Sequence, residues 1–191
     1  MIITISGMLS SGKSTVGKWL AEELGYEYYY SGGRILRDIA KKHNMSLHEF
    51  QEHAAKDPKW DLEIDKYQED LGKTKDNIVL DGHLAFHFVP NSLKVFLDVD
   101  FEVALERRWK ELQKPTDRNE GEFKDKDELR AALKKRIEVA KDRFVRYYNV
   151  DPYDKSNYDI VVDTSKLPIP KVERKVLEEV KKHSKVNSLH S

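Results

Sequence analysis

Residues 1–15 of the chain read MIITISGMLSSGKST, an apolar and β-branched run followed by a loop that matches G-x-x-x-x-G-K-[ST]. The run from Met1 to Ser6 predicts a buried strand that ends at Gly7. Residues 13–24 place apolar side chains on one helix face and stop at Gly25, which predicts a helix directly after the loop. A strand, a glycine-rich loop and a helix in this order predict a site for nucleotide phosphates.

Each fixed position of the loop has a physical purpose. Gly7 and Gly12 permit backbone angles that let the loop N–H groups point toward phosphate oxygens. Lys13 places a positive charge between the β- and γ-phosphates, and the Ser14 hydroxyl is expected to bind Mg²⁺. The alternative is a Gly/Ser-rich turn without function, which the flanking strand and helix disfavour. The predicted ATP-binding residues of the loop are Gly7, Met8, Leu9, Ser10, Ser11, Gly12, Lys13, Ser14 and Thr15.

Strand and helix patterns alternate along the rest of the chain. Further strands are predicted at 26–30, 77–81, 93–99 and 158–163, and helices at 34–43, from Ser46, at 58–71, 101–112, 128–148 and 170–182. The alternation predicts one domain with a three-layer α/β/α P-loop fold and a five-stranded parallel sheet. We expect residues of about 34–75 to form a helical insertion over the ligand edge of the sheet. The polar residues of about 113–128 are expected to form a mobile loop.

Composition narrows the classes of protein and the kinds of site. Lys plus Arg equals Asp plus Glu at 34 each, and this balance argues against a general nucleic-acid binder. The absence of cysteine excludes disulfides and thiolate metal sites. The N-terminus lacks the features of a signal peptide, and no stretch is long enough to span a bilayer. We therefore expect a cytoplasmic protein with no nucleic-acid or membrane partner.

Two aspartates end predicted strands at the edge where open α/β sheets bind ligands. Asp81 is the preferred Mg²⁺ carboxylate, and Asp98 is its rival. His83 and His87 lie four residues apart and suggest a metal pair, but packed or rim histidines are favoured. Strand packing is likewise favoured over base stacking for most of the tyrosines between 26 and 30.

Three further stretches accompany the loop: 31–37 (SGGRILR), 77–90 (NIVLDGHLAFHFVP) and 151–164 (DPYDKSNYDIVVDT). Together and in this order they resemble the nucleoside monophosphate kinases, most closely the cytidylate kinase family of the short, archaeal-like type. The resemblance covers Met1 to about Val180. It implies a monomeric enzyme that uses ATP and Mg²⁺ to phosphorylate a nucleoside monophosphate, CMP or dCMP. It also implies that the insertion of about 34–75 binds this acceptor and that residues of about 113–128 form a lid.

The resemblance also implies roles for single residues. Ser31, Arg37, Gly82 and His83 are expected to bind the acceptor. Arg107 or Arg108 lies where the lid begins, and Arg107 is assigned to ATP binding. Ser14 and Asp81 are assigned to Mg²⁺.

By the same resemblance, the charge on the phosphoryl group during transfer is stabilised by Lys13, Arg136 and Arg143. Arginine offers planar, bidentate donors to phosphate, and a spacing of seven residues places Arg136 and Arg143 on one helix face. The alternative for this basic helix is a solvated face that is paired with glutamates.

Departures from the family pattern leave other functions open. The family commonly has arginine at the position of His83, and an acidic or small residue at Arg34. We hypothesise that Arg34 supplies the missing charge. Met8, Leu9 and Ser10 stand where proline or glycine is common. The alternatives are a kinase of another nucleotide or small acceptor, or a nucleotide-binding regulatory protein with weak catalysis.

Overall fold

A computed structural model describes residues 1–31, 35–45, 49–50, 59–113 and 123–188. The strands are β1 (Ile2–Gly7), β2 (Glu27–Tyr30), β3 (Ile78–Asp81), β4 (Leu93–Asp98) and β5 (Ile160–Asp163). The helices are α1 (Lys13–Leu24), α2 (Leu36–Lys42), α3 (Lys59–Thr74), α4 (Ala85–Phe88), α5 (Phe101–Leu112), α6 (Lys126–Tyr148) and α7 (Ile169–Ser188), with a 3₁₀ turn at Lys155–Asn157.

The five strands form one parallel sheet in the order β2-β3-β1-β4-β5. The chain leaves β1 toward β2 on one side, whereas β5 follows β4 on the other side. The connections therefore diverge between the carboxyl ends of β1 and β4, where open α/β sheets bind ligands. The register places Ile5 and Tyr30 opposite Asp81, so the end of β3 lies beside the loop that follows β1.

Apolar side chains cover both faces of the sheet, which confirms the predicted three-layer fold. One face packs against α1 and α7 through Ile3, Ile5, Val79, Val95, Leu97, Val16, Leu20, Val172 and Val176. The other face packs against α2 and α3 through Tyr29, Ile78, Leu80, Ile39 and Leu71. These two layers hold the carboxyl ends of the strands in fixed positions at one edge.

The described helices differ from the predicted ones mainly at their ends. Helix α6 begins at Lys126 rather than at Glu128, because the Asp125 carboxylate caps it by accepting hydrogen bonds from two backbone N–H groups (2.9 and 3.0 Å). Residues 126–128, predicted to end the lid, are therefore helical. The periodicity does not predict α4, which is only four residues long.

Parts of the predicted insertion and lid lie outside the described residues, namely 32–34, 46–48, 51–58 and 114–122. The helix starts predicted at Ser46 and Pro58 fall there, as does Arg34. The division into a core, an acceptor-binding insertion and a lid therefore stays a prediction. No helix in the described part of the chain has the length and apolar character needed to cross a membrane.

Candidate active site

The loop between β1 and α1 is held in shape by two glycines with different purposes. Gly7 has a φ of +153°, and a Cβ atom there would lie 2.2 Å from the carbonyl oxygen of Leu97 on β4. Gly12 has a φ of +92° at the N-terminal end of α1, in open space. Any larger residue at position 7 would push β1 and β4 apart, whereas position 12 needs glycine for its backbone angle alone.

The Lys13 amine hydrogen-bonds to the first residues of this loop. Its Nζ donates hydrogen bonds to the carbonyl oxygens of Gly7 (3.1 Å) and Met8 (2.9 Å). Burial lowers the pKa of Lys13, and the charge of Arg136 lowers it further, while Asp81 opposes both. The buried Ser11 hydroxyl has no hydrogen-bond partner. A cation and an unpaired hydroxyl donor in a loop at a helix N-terminus suit an anionic ligand.

Asp81 is the carboxylate nearest to the start of α1. Its Oδ2 accepts hydrogen bonds from the Ser14 hydroxyl (2.7 Å) and from the Tyr28 hydroxyl (2.8 Å). Burial raises the pKa of Asp81, whereas these two hydrogen bonds and the charge of Lys13 lower it. Asp98, the rival carboxylate, instead pairs with Lys155 (2.5 Å). Geometry therefore favours Asp81 over Asp98 as the partner of Ser14.

The Ser14 and Asp81 oxygens fit Mg²⁺ in particular. Magnesium binds hard oxygen ligands, and at phosphate sites it takes few of them from the protein. Among the described residues, no group of three or more His, Asp or Glu side chains is placed to hold a metal ion by itself. The histidines predicted as packed or rim residues lie against aromatic rings, with His83 6.2 Å from Phe144 and His87 5.6 Å from Tyr148 between ring centroids.

His83 follows β3 and faces three cations of the site. Its pKa is lowered to about 3 by burial and by the charges of Lys13, Arg136 and Arg143. The shift shows that the loop lysine and both helix arginines act on one point. The imidazole is consequently neutral near pH 7, and it offers a hydrogen bond rather than a charge.

Helix α6 carries both arginines along one side. The Arg143 guanidinium stacks 5.2 Å from the centroid of the Phe144 ring, and Phe144 packs with Met8 of the loop in one cluster. Arg136 also acts on Tyr153, whose buried hydroxyl has no hydrogen-bond partner. Lys13, Arg136 and Arg143 thus all lie within electrostatic range of His83, and their assignment to a phosphate site stays a prediction.

Arg107 and Arg108 differ in their surroundings. The Arg107 guanidinium donates to the hydroxyl (3.0 Å) and the carbonyl (2.5 Å) of Thr164 and to the carbonyl of Ser10 (3.4 Å). Arg108 is buried and pairs with Glu111 on its own helix (2.7 Å). Arg107 thus contacts the phosphate loop through Ser10.

A cavity of about 220 Å³ opens beside Arg107 and Thr164. The residues that line the cavity also include the apolar Val16, Leu167 and Pro168. Apolar walls with a few polar groups at one end are typical of a site for a flat heterocycle next to bound phosphates.

The predicted acceptor residues are only partly brought together. The Ser31 hydroxyl donates to the carbonyl oxygen of Asp81 (3.1 Å), next to Gly82 and His83. Arg37 lies in the first turn of α2 with an exposed side chain, and it makes no hydrogen bond or ion pair with the described residues. The structure therefore places Ser31, Gly82 and His83 in one group and leaves Arg37 outside it.

Two residues near the site are not predicted from the sequence. Tyr28 binds Asp81 because β2 lies beside β3, although their sequence positions are far apart. Gln68 on α3 is buried beside Gly82. The sequence contains only slight signals of these two roles. One is a tyrosine hydroxyl in an otherwise apolar strand, and the other is a glutamine on the buried side of a helix.

Comparisons with known proteins agree with this geometry. A model of the cytidylate kinase-like family matches residues 2–166. A cytidylate kinase of Staphylothermus marinus is 34% identical over 192 residues, which cover 97% of this chain and 99% of that protein.

A longer relative and a solved structure extend the comparison. An S-adenosylmethionine-dependent nucleotide dehydratase of Lacinutrix mariniflava is 33% identical over 189 residues, which are 99% of this chain but only 38% of that protein. The crystal structure of shikimate kinase from Aquifex aeolicus has a TM-score of 0.58 and 22% identity, and covers 96% of this chain and 98% of its own. This likeness shows the P-loop kinase fold. By the family match and the cytidylate kinase relative, the chain belongs to the cytidylate kinase-like family and is a nucleotide kinase of the nucleoside monophosphate kinase type.

Proposed function

We propose that this kinase transfers the γ-phosphoryl group of ATP to CMP or dCMP in the presence of Mg²⁺. The observation that carries the proposal is the phosphate-loop geometry, in which Lys13 hydrogen-bonds to the loop carbonyls and Ser14 donates to Asp81. The charges of Arg136 and Arg143 act on the neighbouring His83 together with that of Lys13. Cations and hard oxygens in one site suit a triphosphate that is bound to a divalent metal.

The donor nucleotide is proposed to bind between the loop and the cavity at Arg107. Backbone N–H groups of residues 7–15 and the N-terminal end of α1 hold the phosphates. The Ser11 hydroxyl, which is buried without a partner, would donate to one of their oxygens. The adenine ring would then occupy the apolar cavity next to Thr164.

Ser14 and Asp81 are proposed to hold Mg²⁺, directly or through water. When bound, the ion neutralises part of the phosphate charge and fixes the triphosphate. Tyr28 and Ser14 share Oδ2 of Asp81, so that the carboxylate keeps one orientation. This orientation is set by the chain before any ligand arrives.

The chemical step is proposed to be an in-line displacement. An oxygen of the acceptor phosphate attacks the γ-phosphorus while the bond from that phosphorus to the β–γ bridging oxygen breaks. ADP leaves with the electron pair. Lys13, Arg136 and Arg143 stabilise the charge on the transferring group. No covalent nucleophile is needed, because positioning and charge stabilisation supply most of the rate in such reactions.

The acceptor is proposed to lie between the end of β3 and the helices α2 and α3. Ser31, Gly82 and His83 border this space, and Arg37 would reach it only after a movement of α2 or of its own side chain. The proposed lid of about 113–128 would close over the phosphates from the side of α6 and exclude water.

The test is a kinase assay over an acceptor panel. ADP formation from ATP and Mg²⁺ is measured with CMP, dCMP, UMP, AMP and GMP, each with and without the metal. We expect metal-dependent turnover with CMP or dCMP. Turnover confined to another acceptor would correct the base, and ATP binding without turnover on any acceptor would favour the regulatory role.

The similarity to the nucleotide dehydratase favours a second candidate role for the same kinase activity. The matching segment is 38% of that relative, so the dehydratase contains a region similar to this chain within a longer protein. We propose that the nucleotide product of this kinase can serve a dehydratase of that kind. The check is a coupled reaction, in which a purified nucleotide dehydratase receives either the kinase products or the monophosphates, and dehydrated nucleotide is measured by mass spectrometry.

A further inference from the structure

Gln68 on α3 is a buried polar side chain that the proposed phosphate chemistry does not use. The residue is only 4% exposed, yet its amide atoms are not among the fully buried side-chain atoms that lack a partner in the described part of the structure. No hydrogen bond joins this amide to the described residues, so its donors and acceptor keep contact with solvent. An amide in this position is available to a ligand, and it can exchange water for a ligand at little cost.

The position of this amide is fixed by its neighbours. A Cβ atom at Gly82 would lie 2.9 Å from the Ser31 hydroxyl oxygen and 3.4 Å from Oε1 of Gln68. The amide oxygen consequently lies next to the residue that joins Asp81 to His83. The Ser31 hydroxyl already donates to the Asp81 carbonyl oxygen, whereas Gln68 has no such partner among the described residues.

Helix α3 is held against this edge of the sheet on both sides of Gln68. One turn before it, the Asp65 carboxylate accepts a hydrogen bond from the Tyr148 hydroxyl at the end of α6. One turn after it, Gly72 lies so close to Val89 that a Cβ atom would be 2.8 Å from Cγ1 of the valine. The backbone that carries the amide is therefore well anchored.

The chemistry of the amide selects the part of the acceptor that it can bind. The cations at His83 suit the phosphates, whereas a carboxamide is neutral and offers two donors and one acceptor. Ribose hydroxyls and the Watson–Crick edge of cytosine, with its N3 acceptor and N4 donor, both match it. We propose that the Gln68 amide hydrogen-bonds the nucleoside part of the acceptor and determines its specificity, an inference that rests on the proposed function.

The test compares Gln68→Met, which keeps the length of the side chain, with the wild-type protein. We expect the acceptor KM to rise about tenfold, since one hydrogen bond to the ligand is lost. The KM for ATP should change less than twofold. Thermal stability should not fall, because the amide makes no hydrogen bond with the described residues of the free protein; a purely structural glutamine would lower the Tm.

The matched control is Tyr67→Phe on the same helix. The Tyr67 hydroxyl donates to the Asp38 carboxylate on α2 (2.8 Å), away from Gln68. We expect this variant to lower the Tm and to leave the acceptor KM within twofold. Gln68→Met should thus raise the acceptor KM without lowering the Tm, whereas Tyr67→Phe should lower the Tm without raising the acceptor KM.

Measurements with CMP, dCMP and UMP distinguish the two parts of the nucleoside. A Gln68→Met penalty seen with CMP but not with dCMP indicates the 2′-hydroxyl. An equal penalty for both, together with a changed CMP-to-UMP preference in Gln68→Glu, indicates the base. An acceptor KM within twofold of the wild type for every nucleotide would overturn the inference. If the wild type phosphorylates none of them, the proposed function itself fails.

Discussion

The two ends of the cleft differ in how their polar groups are paired. At the donor end, Lys13 donates to two loop carbonyls and Arg107 to Thr164, and only the Ser11 hydroxyl is left buried without a partner. At the acceptor end, the Gln68 amide keeps contact with solvent on a residue that is only 4% exposed, and His83 is neutral under the charges of three cations. The donor end is assembled largely by the backbone, whereas the acceptor end depends on single side chains.

This difference between backbone groups and single side chains suggests separate residues for catalysis and for the choice of acceptor. A loop of backbone N–H groups recognises phosphates, which all nucleoside triphosphates share. Individual side chains recognise the groups by which acceptors differ. We therefore expect substitutions at the donor end to lower kcat for every acceptor, and substitutions at the acceptor end to change KM for particular acceptors.

The largest effect is expected at Lys13. Lys13→Ala should lower kcat on the order of 10³-fold with all acceptors, because it removes a cation from the transferring phosphate. Steady-state ADP formation measures the effect. The control is Lys18→Ala, since Lys18 is exposed on the next turn of α1 and pairs with Glu22. A loss that depends on which acceptor is used would break the separation between the two ends.

A smaller loss is expected at the proposed magnesium carboxylate. Asp81→Asn should lower kcat by about 10²-fold and raise the Mg²⁺ concentration needed for half-maximal rate, because the charge that faces the metal is lost. Asp98→Asn is the matched change at the end of the neighbouring strand β4. If Asp98→Asn proves the more damaging, the assignment of the carboxylates must be exchanged.

Tyr28→Phe sharpens the comparison, because the Tyr28 hydroxyl donates a hydrogen bond to Asp81. Removal of its hydroxyl leaves Oδ2 with one donor, so the carboxylate is held less firmly. We expect the apparent Kd of Mg²⁺ in the presence of ADP to rise about tenfold, as measured by calorimetric titration.

Tyr29→Phe provides the control for this prediction. The Tyr29 hydroxyl donates to Glu27 (3.0 Å) on the same strand, and its loss should leave the Mg²⁺ titration unchanged. An unchanged titration for Tyr28→Phe as well would show that Asp81 needs no support from β2.

The last predicted effect is on stability rather than on rate or binding, and it concerns the acceptor end in acid. His83 has a folded-state pKa of about 3, below its ordinary value of 6.5, so the unfolded chain binds the proton more readily. Neutral His83 therefore contributes stability that is fully present above about pH 6.5 and is lost as the pH falls toward about 3. Between about pH 6.5 and about pH 4.5 we expect a loss on the order of 2 kcal/mol in the free energy of unfolding.

The substitution His83→Gln isolates this contribution. Glutamine has no proton to gain in this range, so the difference in unfolding free energy between the two proteins should shrink or reverse as the pH falls. Urea titrations at several pH values measure it. Parallel pH profiles for the two proteins would show that His83 is not shielded from protons in the folded state.

The sequence predicts those parts of the molecule that depend on local patterns. The five strands and α1 follow from apolar periodicity, and the phosphate loop follows from the spacing of Gly7, Gly12 and Lys13. The start of α6 is displaced because the cap at Asp125 outweighs the apolar pattern. Local patterns therefore give the elements of the fold, and their ends only to within a few residues.

The rest depends on which elements become neighbours. Tyr28 meets Asp81 only because β2 adds to the sheet beside β3, and Gln68 meets Gly82 only because α3 returns across that edge. The spacing of Arg136 and Arg143 predicts a shared face, but not that His83 lies within range of both. Such contacts arise from the topology of the sheet and leave no motif in the sequence.

Helix α6 is one continuous helix of 23 residues, about 34 Å long, and its two ends contact different parts of the molecule. One end is packed on α5 through Leu129, the middle carries the arginines, and Tyr148 at the other end bonds to Asp65 on the acceptor side. The Tyr148–Asp65 hydrogen bond joins this helix to α3, so a displacement of α3 would be passed to the half of α6 that carries Arg143. If the acceptor binds against α3, as proposed, the position of this arginine is coupled to the presence of the acceptor.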